Sequence, residues 1–417
     1  MHVVDVCAFY TPHGGGVKTY VERKLKAAAR HGAKVTILAP GRRDEVAGFG
    51  NGVIRSVRGR RFPLDTRYRY FHDEHALHAA LDELAPDFVE ASSPWTSAGM
   101  VARWPGTAPR ALVMHADPLA AYAYRWLGGI APTAMIDRWF DRFWRHLRGL
   151  GQMFDSIVCA NSHLADRLAA GGVANTETIR MGVEAGVFSP AHRSPELRKA
   201  ALAGLGLDPD GLLFVGVGRL SAEKRWDMVL RAVGESGRKL AVGMLLVGDG
   251  SKRQRLEILA EQYRNVALLP PITDRSELAR LVASGDALIH GCEAETFCLV
   301  AAEARASGVP LIVPDRGGAI DQLVEGAGTS YAAGRERSLK QAIERFVARG
   351  PELQRAAAVR ASHPRTMDEH FADLFARYEA LAPERTLQPA ARAVGGAPAQ
   401  VEPMPQVALA RSGFGLS

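Results

Sequence analysis

The sequence contains few cysteines and no cysteine motif. Four of its 417 residues are cysteines, and no two of them form a Cys-x-x-Cys pair. Thiols placed in this way predict neither a disulfide framework nor a zinc site, and they are typical of a protein from a reducing cytoplasm. The four residues are Cys7, Cys159, Cys292 and Cys298.

Long hydrophobic runs are also missing. The clearest apolar runs, 212–217 and 244–247, are far shorter than the roughly 18 residues that a membrane-spanning helix needs. No basic segment precedes a long apolar stretch at the amino terminus, so we expect a buried first strand there and not a signal peptide. The sequence therefore favours a cytoplasmic protein that is soluble or at most peripheral on the inner face of the plasma membrane.

Neither sign of charge dominates the composition. Lys and Arg number 52 and Asp and Glu number 45, which leaves a net charge of +7. An excess of this size spread over so long a chain is not the electrostatic signature of a nucleic-acid protein, so we expect no nucleic-acid partner. The length of 417 residues and the hydrophobic content of 47% instead indicate a globular chain of two domains.

What the sequence does contain is a regular alternation of short apolar runs with helical patterns, which is typical of parallel α/β sheets. The predicted strands form two series, separated by the segment 181–190 with its serine and proline. The first series is 3–9, 34–39, 110–114 and 155–160, and the second is 212–217, 241–247, 266–269, 287–290 and 311–313.

This pattern predicts two Rossmann-like domains facing a central cleft, over residues 1–187 and 188–363. An amphipathic helix is predicted within 364–383, where Phe371, Leu374, Phe375 and Tyr378 recur at helical spacing. Residues 384–417 are dominated by Ala, Pro and Gly, and are predicted to be a disordered tail.

The most informative polar residues follow the strand at 287–290, where an open parallel sheet binds its ligands. Glu295 lies in a loop and Glu303 in the next helix, whose first amides belong to Phe297, Cys298 and Leu299. Carboxylates beside such amides are suited to sugar or ribose hydroxyls. On spacing alone, solvated loop charges and a helix-dipole effect explain these acids equally well.

A second group of polar residues follows the strand at 212–217. Gly216 and Gly218 allow a close approach of the backbone, and Arg219 and Lys224 supply charge suited to a diphosphate. The spacing matches neither a P-loop nor a dinucleotide fingerprint. Without further context, two surface charges are the more common explanation.

The first domain has two comparable positions. Gly14, Gly15 and Gly16 follow the first strand and open a helix, so their amides are free to meet a ligand. His115 and Asp117 follow the strand at 110–114. A glycine turn and a single histidine are weak evidence by themselves, since such a histidine is more often structural.

In this order and spacing, the four groups resemble the retaining GT-B glycosyltransferases of family 4, also called glycosyltransferase group 1. The resemblance extends to about residue 382 and includes Asn161-Ser162, the segment 180–190 and Val247-Gly-Asp-Gly250. It implies that Arg219 and Lys224 bind the donor diphosphate, that Glu303 binds the ribose, and that Glu295 with the amides of 297–299 orients the sugar. His115 would then approach the transferred sugar, and the final helix would return to the N-terminal domain.

The implied reaction is transfer of a hexose from a nucleotide-diphosphate sugar with retention of configuration, in which the leaving diphosphate helps to deprotonate the acceptor. No Asp-x-Asp motif points to a divalent ion, and the two basic residues can replace one, so no metal and no cofactor are expected. The sequence departs from the family at Met181, His290-Gly291 and Cys298. We expect Cys298 to narrow the sugar pocket.

The acceptor side is less well defined. Asp117, Arg67 and Arg69 are candidate acceptor residues, the last two within an arginine cluster over 55–69. Segment 122–150 mixes Trp and Phe with Arg, a composition that interfacial helices use on anionic lipid. A solvated basic loop and a core-facing aromatic stripe are the alternatives. A membrane contact would favour a lipid-linked acceptor in cell-envelope glycan or polysaccharide synthesis.

Three other functions share parts of this pattern. A GT-B sugar-nucleotide epimerase or a phosphorylase would have the same fold and diphosphate site, and a noncatalytic module could bind the nucleotide sugar alone. The joint presence of Arg219, Lys224 and Glu295 argues against the last of these. Among donors, GDP-mannose is the weakly preferred expectation.

Overall fold

The computed structural model describes residues 1–11, 16–49, 52–61, 69–115, 117, 119 and 133–386. Contacts divide the chain into two compact units. The first unit includes the described residues of 1–115, 133–178 and 371–386, and the second includes 117, 119 and 179–370.

The first unit is built on a mostly parallel sheet in the order β10-β9-β8-β7-β1-β2-β4-β3, in which β3 alone runs antiparallel to its neighbour among the described strands. A separate pair, β5 and β6, is antiparallel. The strands are β1 (His2–Cys7), β2 (Lys34–Gly41), β3 (Glu45–Phe49), β4 (Gly52–Arg58), β5 (Arg60–Arg61), β6 (Arg69–Tyr70), β7 (Phe88–Ser92), β8 (Arg110–Met114), β9 (Ser156–Cys159) and β10 (Thr176–Thr178).

Helices connect these strands, and side-chain caps fix where several of them begin. Asn161 accepts a hydrogen bond from the Leu164 amide at 2.7 Å, so the helix starts at the Asn161-Ser162 step seen in the sequence. The helices are α1 (Gly16–Arg30), α2 (Glu74–Leu84), α3 (Thr96–Arg103), α4 (Thr133–Trp139), α5 (Asp141–Met153) and α6 (Ser162–Ala170).

The second unit has a fully parallel sheet among its described strands, in the order β13-β12-β11-β14-β15-β16. Its strands are β11 (Leu212–Val217), β12 (Val242–Val247), β13 (Val266–Leu269), β14 (Ala287–Ile289), β15 (Leu311–Pro314) and β16 (Gly328–Tyr331). Every residue of β12, β14 and β15 is buried, which explains why these strands are continuous apolar runs in the sequence.

The helices of the second unit cover this sheet. They are α7 (Pro195–Gly204), α8 (Trp226–Ser236), α9 (Arg253–Ala260), α10 (Arg275–Ser284), α11 (Leu299–Ala306), α12 (Glu336–Ala348) and α13 (Pro351–Arg360). Short 3₁₀ turns lie at Pro190–His192, Ala222–Lys224 and Ile320–Gln322. The 3₁₀ turn at Ala222–Lys224 matters most here, because it carries a predicted site residue.

The last helix, α14 (Met367–Thr386), belongs to the first unit from Phe371 onward. The ring of Phe371 lies 5.2 Å from that of Tyr20, and Tyr378 stacks on Phe88 at 4.1 Å. Tyr378 also donates a hydrogen bond to Glu90 at 2.6 Å. The predicted return of the final helix to the N-terminal domain is therefore confirmed.

The sequence analysis located most strands correctly, because buried parallel strands leave continuous apolar runs. It missed β3, β4, β5, β6, β7, β10 and β16. All residues of β3 but the last are exposed, so no apolar run marks this strand. The proposed domain boundaries stay predictions, and of the predicted tail only 384–386, within α14, are among the described residues.

Candidate active site

The loop between β14 and α11 packs so closely against neighbouring backbone that two positions have room only for glycine. A Cβ on Gly291 would lie 2.5 Å from the Lys224 carbonyl oxygen, and one on Gly317 would lie 2.1 Å from that of Glu293. The Gly318 amide donates to the Glu295 carbonyl at 2.6 Å. Gly291, a departure from the family pattern, is thus explained by the approach of the segment that carries Lys224.

The loop after β11 is held against the end of β12. The Gly218 amide donates to the Val247 carbonyl at 3.0 Å and the Leu220 amide to that of Asp249 at 2.8 Å. A Cβ on Gly248 would approach the Gly218 carbonyl oxygen to 2.0 Å, so this crossing of two loops needs glycine. Trp226 then donates from its indole to the Arg219 carbonyl at 3.0 Å and secures the basic segment.

Lys224 and Glu295 form an ion pair at the centre of the site, although 71 residues separate them in the sequence. Burial alone would raise the pKa of Glu295, but the Lys224 ammonium together with His290 and Arg219 outweighs it, so this pKa is below its usual value. Burial alone would lower the pKa of Lys224, but the Glu295 carboxylate together with nearby thiols outweighs that effect and raises it. Both groups are therefore ionised at neutral pH.

The pair is not sealed from solvent. The side chain of Lys224 is 15% exposed and that of Glu295 26% exposed. Charges that are paired and yet partly accessible can exchange partners when a polar ligand arrives.

A second ion pair lies beside the first and was not predicted. Arg225 donates from Nε to Glu293 at 3.0 Å, and its Nη2 also contacts this carboxylate. Arg225 has a left-handed backbone (φ 52°), an unusual conformation for a residue with a side chain. Its position next to Lys224 was the available signal, but nothing in the sequence shows which acid pairs with which base.

The two remaining donor candidates differ in their surroundings. Arg219 is exposed, and its charge contributes to lowering the pKa of Glu295. Glu303 is 6% exposed in α11 and accepts a hydrogen bond from Arg275 at 2.6 Å. The guanidinium of Arg275 in turn lies 4.8 Å from the centre of the Phe188 ring. Arg275 was missed because it belongs to a separate helix.

The amide-bearing residues at the start of α11 have the predicted helical position. Cys298 caps the helix in a left-handed conformation (φ 62°), and Leu299 is the first helical residue. The thiol of Cys298 is 1% exposed and belongs to a core cluster with Ala301, Ala302 and Val313. Phe297 and Leu299 are half-buried. Whether Cys298 also narrows a sugar pocket stays a prediction.

His115 lies in the first unit at the end of β8, as predicted. Its Nε2 is 3.2 Å from the Ser92 hydroxyl, and its ring meets that of Tyr20 edge to face at 4.7 Å. Burial is the main cause that lowers the pKa of His115, to about 4, so the imidazole is neutral near pH 7. Its placement at a strand end agrees with the sequence, and its role in transfer is not tested by these contacts.

The other predicted residues fall into two groups. Asp117 is buried and accepts a hydrogen bond from the Leu119 amide at 3.1 Å, and Arg69 donates to the Gly59 carbonyl at 2.7 Å. Gly16 is the first residue of α1. Gly14, Gly15 and Arg67 lie outside the described residues.

Two acids, Asp208 and Asp210, form an Asp-x-Asp sequence, but they are exposed and precede β11. They therefore lie at the opposite end of that strand from Arg219 and Lys224, which follow it. A cluster at the correct end, His290, Cys292 and Glu295, brings its donor atoms within 4.8 Å of one another. His290 and Cys292 were known from the sequence only as a family departure and a lone thiol.

Two units built on parallel sheets, with paired basic and acidic residues at the strand ends of the second, have the architecture of a GT-B glycosyltransferase. Residues 14–187 match the model of Glycosyltransferase Family 4, and residues 198–362 match that of Glycosyl transferases group 1. The chain belongs to the group 1, or family 4, glycosyltransferases. The predicted family, fold class and enzyme class are confirmed.

Similar proteins cover nearly the whole chain. A GDP-mannose-dependent alpha-mannosyltransferase of Mycobacterium tuberculosis is 30% identical over 94% of this chain and 99% of the relative. A GDP-mannose-dependent alpha-(1-6)-phosphatidylinositol dimannoside mannosyltransferase of the same species is 28% identical over 92% and 97%. Sucrose-phosphate synthase of Thermosynechococcus elongatus has the same fold, with a TM-score of 0.67 at 19% identity over 93% of this chain and 97% of that one.

Proposed function

We infer that the protein is a retaining mannosyltransferase that uses GDP-mannose and transfers the sugar to a glycan or lipid-linked acceptor. The observation that carries this proposal is the Lys224–Glu295 pair at the strand ends of a chain similar, over more than nine-tenths of its length, to two GDP-mannose-dependent enzymes. The pair combines a cation suited to a diphosphate with an acceptor suited to sugar hydroxyls.

Donor binding would exchange the partners of this pair. The diphosphate would take the Lys224 ammonium and the exposed Arg219 guanidinium, while sugar hydroxyls would donate to Glu295. Because both groups are already ionised and lie at the site, the exchange changes their partners and not their protonation states, and the ammonium can meet the charge that develops on the leaving diphosphate. The amides of 297–299, at the N-terminus of α11, add positive potential for polar groups of the donor.

Glu303 would bind the ribose hydroxyls through a carboxylate that is already oriented. Its contact with Arg275 holds one oxygen at 2.6 Å and limits the rotamers of a side chain that is otherwise buried. His115 would accept or donate a hydrogen bond at the transferred sugar as a neutral imidazole, consistent with its lowered pKa. Gly15 and Gly16 of the N-terminal domain would supply backbone amides to the donor.

A donor screen tests the proposal directly. Thermal shifts with GDP-, UDP- and ADP-sugars should be largest for GDP-mannose, because a ligand that binds only the folded state stabilises it. Labelled GDP-mannose should then yield a mannosylated acceptor and free GDP. Release of an epimerised sugar without any acceptor, or transfer to phosphate, would support the epimerase or phosphorylase alternative instead.

Separate roles for the two carboxylates are tested by kinetics. Glu303→Ala should mainly raise the KM for the donor, since ribose contacts persist unchanged through the reaction. Glu295→Ala should mainly lower kcat, since sugar contacts reorganise in the transition state. Equal effects on both parameters in both variants would contradict this division of roles.

The acceptor is proposed to be presented at an anionic membrane, which α4 and α5 would contact. Met135 and Trp139 are 38% and 58% exposed, unusual for apolar side chains of this size. Arg138, Arg142 and Arg145 are exposed beside them, whereas Phe143 and Trp144 are buried. The aromatic stripe is thus partly core, and Trp139 is its outward-facing member. None of the helices in the described parts of the chain is long and apolar enough to cross a bilayer.

Vesicle sedimentation tests the membrane contact. The protein should bind vesicles that contain phosphatidylglycerol, with weaker binding at high salt and in Trp139→Ala, because both apolar insertion and charge contribute. Leu353→Ala is the matched control, since Leu353 is 69% exposed on the second unit. Equal binding by both variants would contradict a docking role for α4 and α5.

A further inference from the structure

We propose that His290, Cys292 and Glu295 form a binding site for Zn²⁺ or a similar thiophilic divalent ion within the candidate active site. Their donor atoms, an imidazole nitrogen, a thiol sulfur and a carboxylate oxygen, all lie within 4.8 Å of one another. A bound ion would inhibit sugar transfer, because it would coordinate the Glu295 carboxylate that the donor sugar is proposed to need. That consequence rests on the proposed function, whereas the binding site does not.

The independent evidence is the state of His290. The residue is 1% exposed, and neither of its ring nitrogens has a hydrogen-bond partner among the residues that the structure describes. A buried imidazole without partners is costly, since its polar atoms lose their contact with water. The Tyr331 hydroxyl donates to the His290 carbonyl at 2.7 Å and holds the backbone at this position. A bound ion would satisfy one ring nitrogen directly.

The distance between the nitrogen and oxygen ligands fits a small tetrahedral ion. Zinc ligands lie at about 2.0–2.3 Å from the ion, so that neighbouring ligand atoms are roughly 3.3–3.8 Å apart. Nε2 of His290 is 3.7 Å from Oε1 of Glu295, which already has that spacing. The Cys292 sulfur lies within 4.8 Å of these two atoms, so a small side-chain movement would complete three protein ligands and leave a fourth position for water. Glu295 is 26% exposed, so an ion from solvent can enter on the carboxylate side.

The donor set determines which ions bind. Imidazole nitrogen and thiolate sulfur select zinc, cobalt or cadmium over magnesium, which requires oxygen ligands. Cysteine coordinates a metal as the thiolate, so the thiol must lose its proton when the ion binds. Binding of Zn²⁺ therefore forms a Zn–S bond and releases one proton from this thiol to solvent.

Lys224 is the internal competitor of the ion. Its ammonium contacts the same Oε1 of Glu295 that lies 3.7 Å from His290 Nε2. An ion can bind this oxygen only when the ammonium moves away. Removal of this positive charge should consequently strengthen metal binding, a response that an unrelated surface site would not show.

Metal titration tests the site without any reaction. Chelator-treated protein is titrated with Co²⁺, followed by the thiolate-to-cobalt charge-transfer band, and Zn²⁺ is then added to displace it. One equivalent of Co²⁺ should bind with this band, whereas Mg²⁺ should neither produce nor displace it. Absence of a charge-transfer band in the unmodified protein would overturn the proposal.

Matched variants locate the ion. Cys292→Ser should abolish the band, and His290→Ala should weaken metal binding by at least about 10-fold. Lys224→Met should strengthen it by about 10-fold. Cys159→Ser is the control, because Cys159 is also a buried cysteine at the end of a parallel strand, but in the first unit. Unchanged binding by Cys292→Ser together with loss in Cys159→Ser would place the ion elsewhere and overturn the site.

Competition with substrate separates this site from the proposed function. Zn²⁺ should raise the apparent KM for GDP-mannose, and the Cys292→Ser variant should lose this sensitivity. A protein that gives the cobalt band but transfers no mannose would contradict the proposed function and support the metal site. A protein that transfers mannose but gives no cobalt band would support the proposed function and contradict the metal site.

Discussion

Each unit of the molecule places a lysine against carboxylates, and the two clusters differ in their access to solvent. In the first unit, Lys24 of α1 contacts Asp5 and Glu90, which are adjacent partners on β1 and β7. All three side chains are completely buried. In the second unit, Lys224 and Glu295 are 15% and 26% exposed.

The carboxylates of the buried cluster accept hydrogen bonds from other side chains of the protein. Ser92 donates to Asp5 at 2.9 Å, and Tyr378 of α14 donates to Glu90 at 2.6 Å. Burial is the main cause that raises the pKa of Glu90, to about 7. Such a cluster joins strands, a helix and the returning C-terminal helix, and no ligand can reach it. Charge composition therefore does not distinguish a structural cluster from one that can bind a ligand, whereas solvent access at the strand ends does.

Removal of Lys24 should have the largest effect. Lys24→Met leaves Asp5 and Glu90 buried without a countercharge, and should lower the free energy of unfolding by about 3–5 kcal/mol. Denaturant unfolding of the purified protein measures this, with exposed Lys26→Met as the control. A loss below about 1 kcal/mol would show that the carboxylates adapt by protonation, and would weaken the contrast between the clusters.

The equivalent change in the open cluster should affect turnover. Lys224→Ala and Arg219→Ala each remove a charge-assisted contact worth roughly 1.5–3 kcal/mol, which corresponds to about one to two decades in rate. The fold should remain intact in both. Steady-state kinetics and circular dichroism measure the two properties, with exposed Lys239→Ala as the control. Near-normal turnover in both variants would contradict the diphosphate assignment.

The acid sensitivity of the first unit should depend on His115. Its pKa is lowered to about 4 in the folded protein from an ordinary value of 6.5. Between these values the unfolded chain binds a proton that the native state does not, so stability falls as the pH decreases through this window. The loss should reach about 2 kcal/mol at about pH 5, and His115→Gln should reduce it. Unfolding curves at several pH values measure the slope, and an unchanged slope in the variant would exclude His115 as its source.

Replacement of Cys298 should have the smallest effect on stability. Cys298→Gly relieves a left-handed backbone at φ 62° but removes a buried thiol, so the net change should be within about 1 kcal/mol. Turnover should survive. The sequence-based hypothesis further expects relaxed sugar choice, by roughly 1–3 kcal/mol in the ratio of specificity constants. Competition kinetics with several GDP-sugars measure this ratio, and an unchanged value would assign the thiol to core packing alone.

The sequence by itself determined the fold class and most of the strands, for a simple reason. A parallel strand buried on both faces is a continuous apolar run, so β12, β14 and β15 are recognisable without any structure. It also determined which loops carry polar residues, because strand ends are fixed once the strands are known. Lys224 and Glu295 were selected in this way, and the family resemblance assigned their roles.

Only the tertiary structure decided which of these residues meet. The Lys224–Glu295, Arg225–Glu293 and Arg275–Glu303 pairs join segments 71, 68 and 28 residues apart, and nothing in local spacing encodes such pairing. The Asp5–Lys24–Glu90 cluster escaped prediction because a single charge within a strand or a helix has no periodic signal. Likewise, the unpartnered imidazole of His290 follows from the packing around it, since burial and the absence of a partner are properties of the fold and not of the chain.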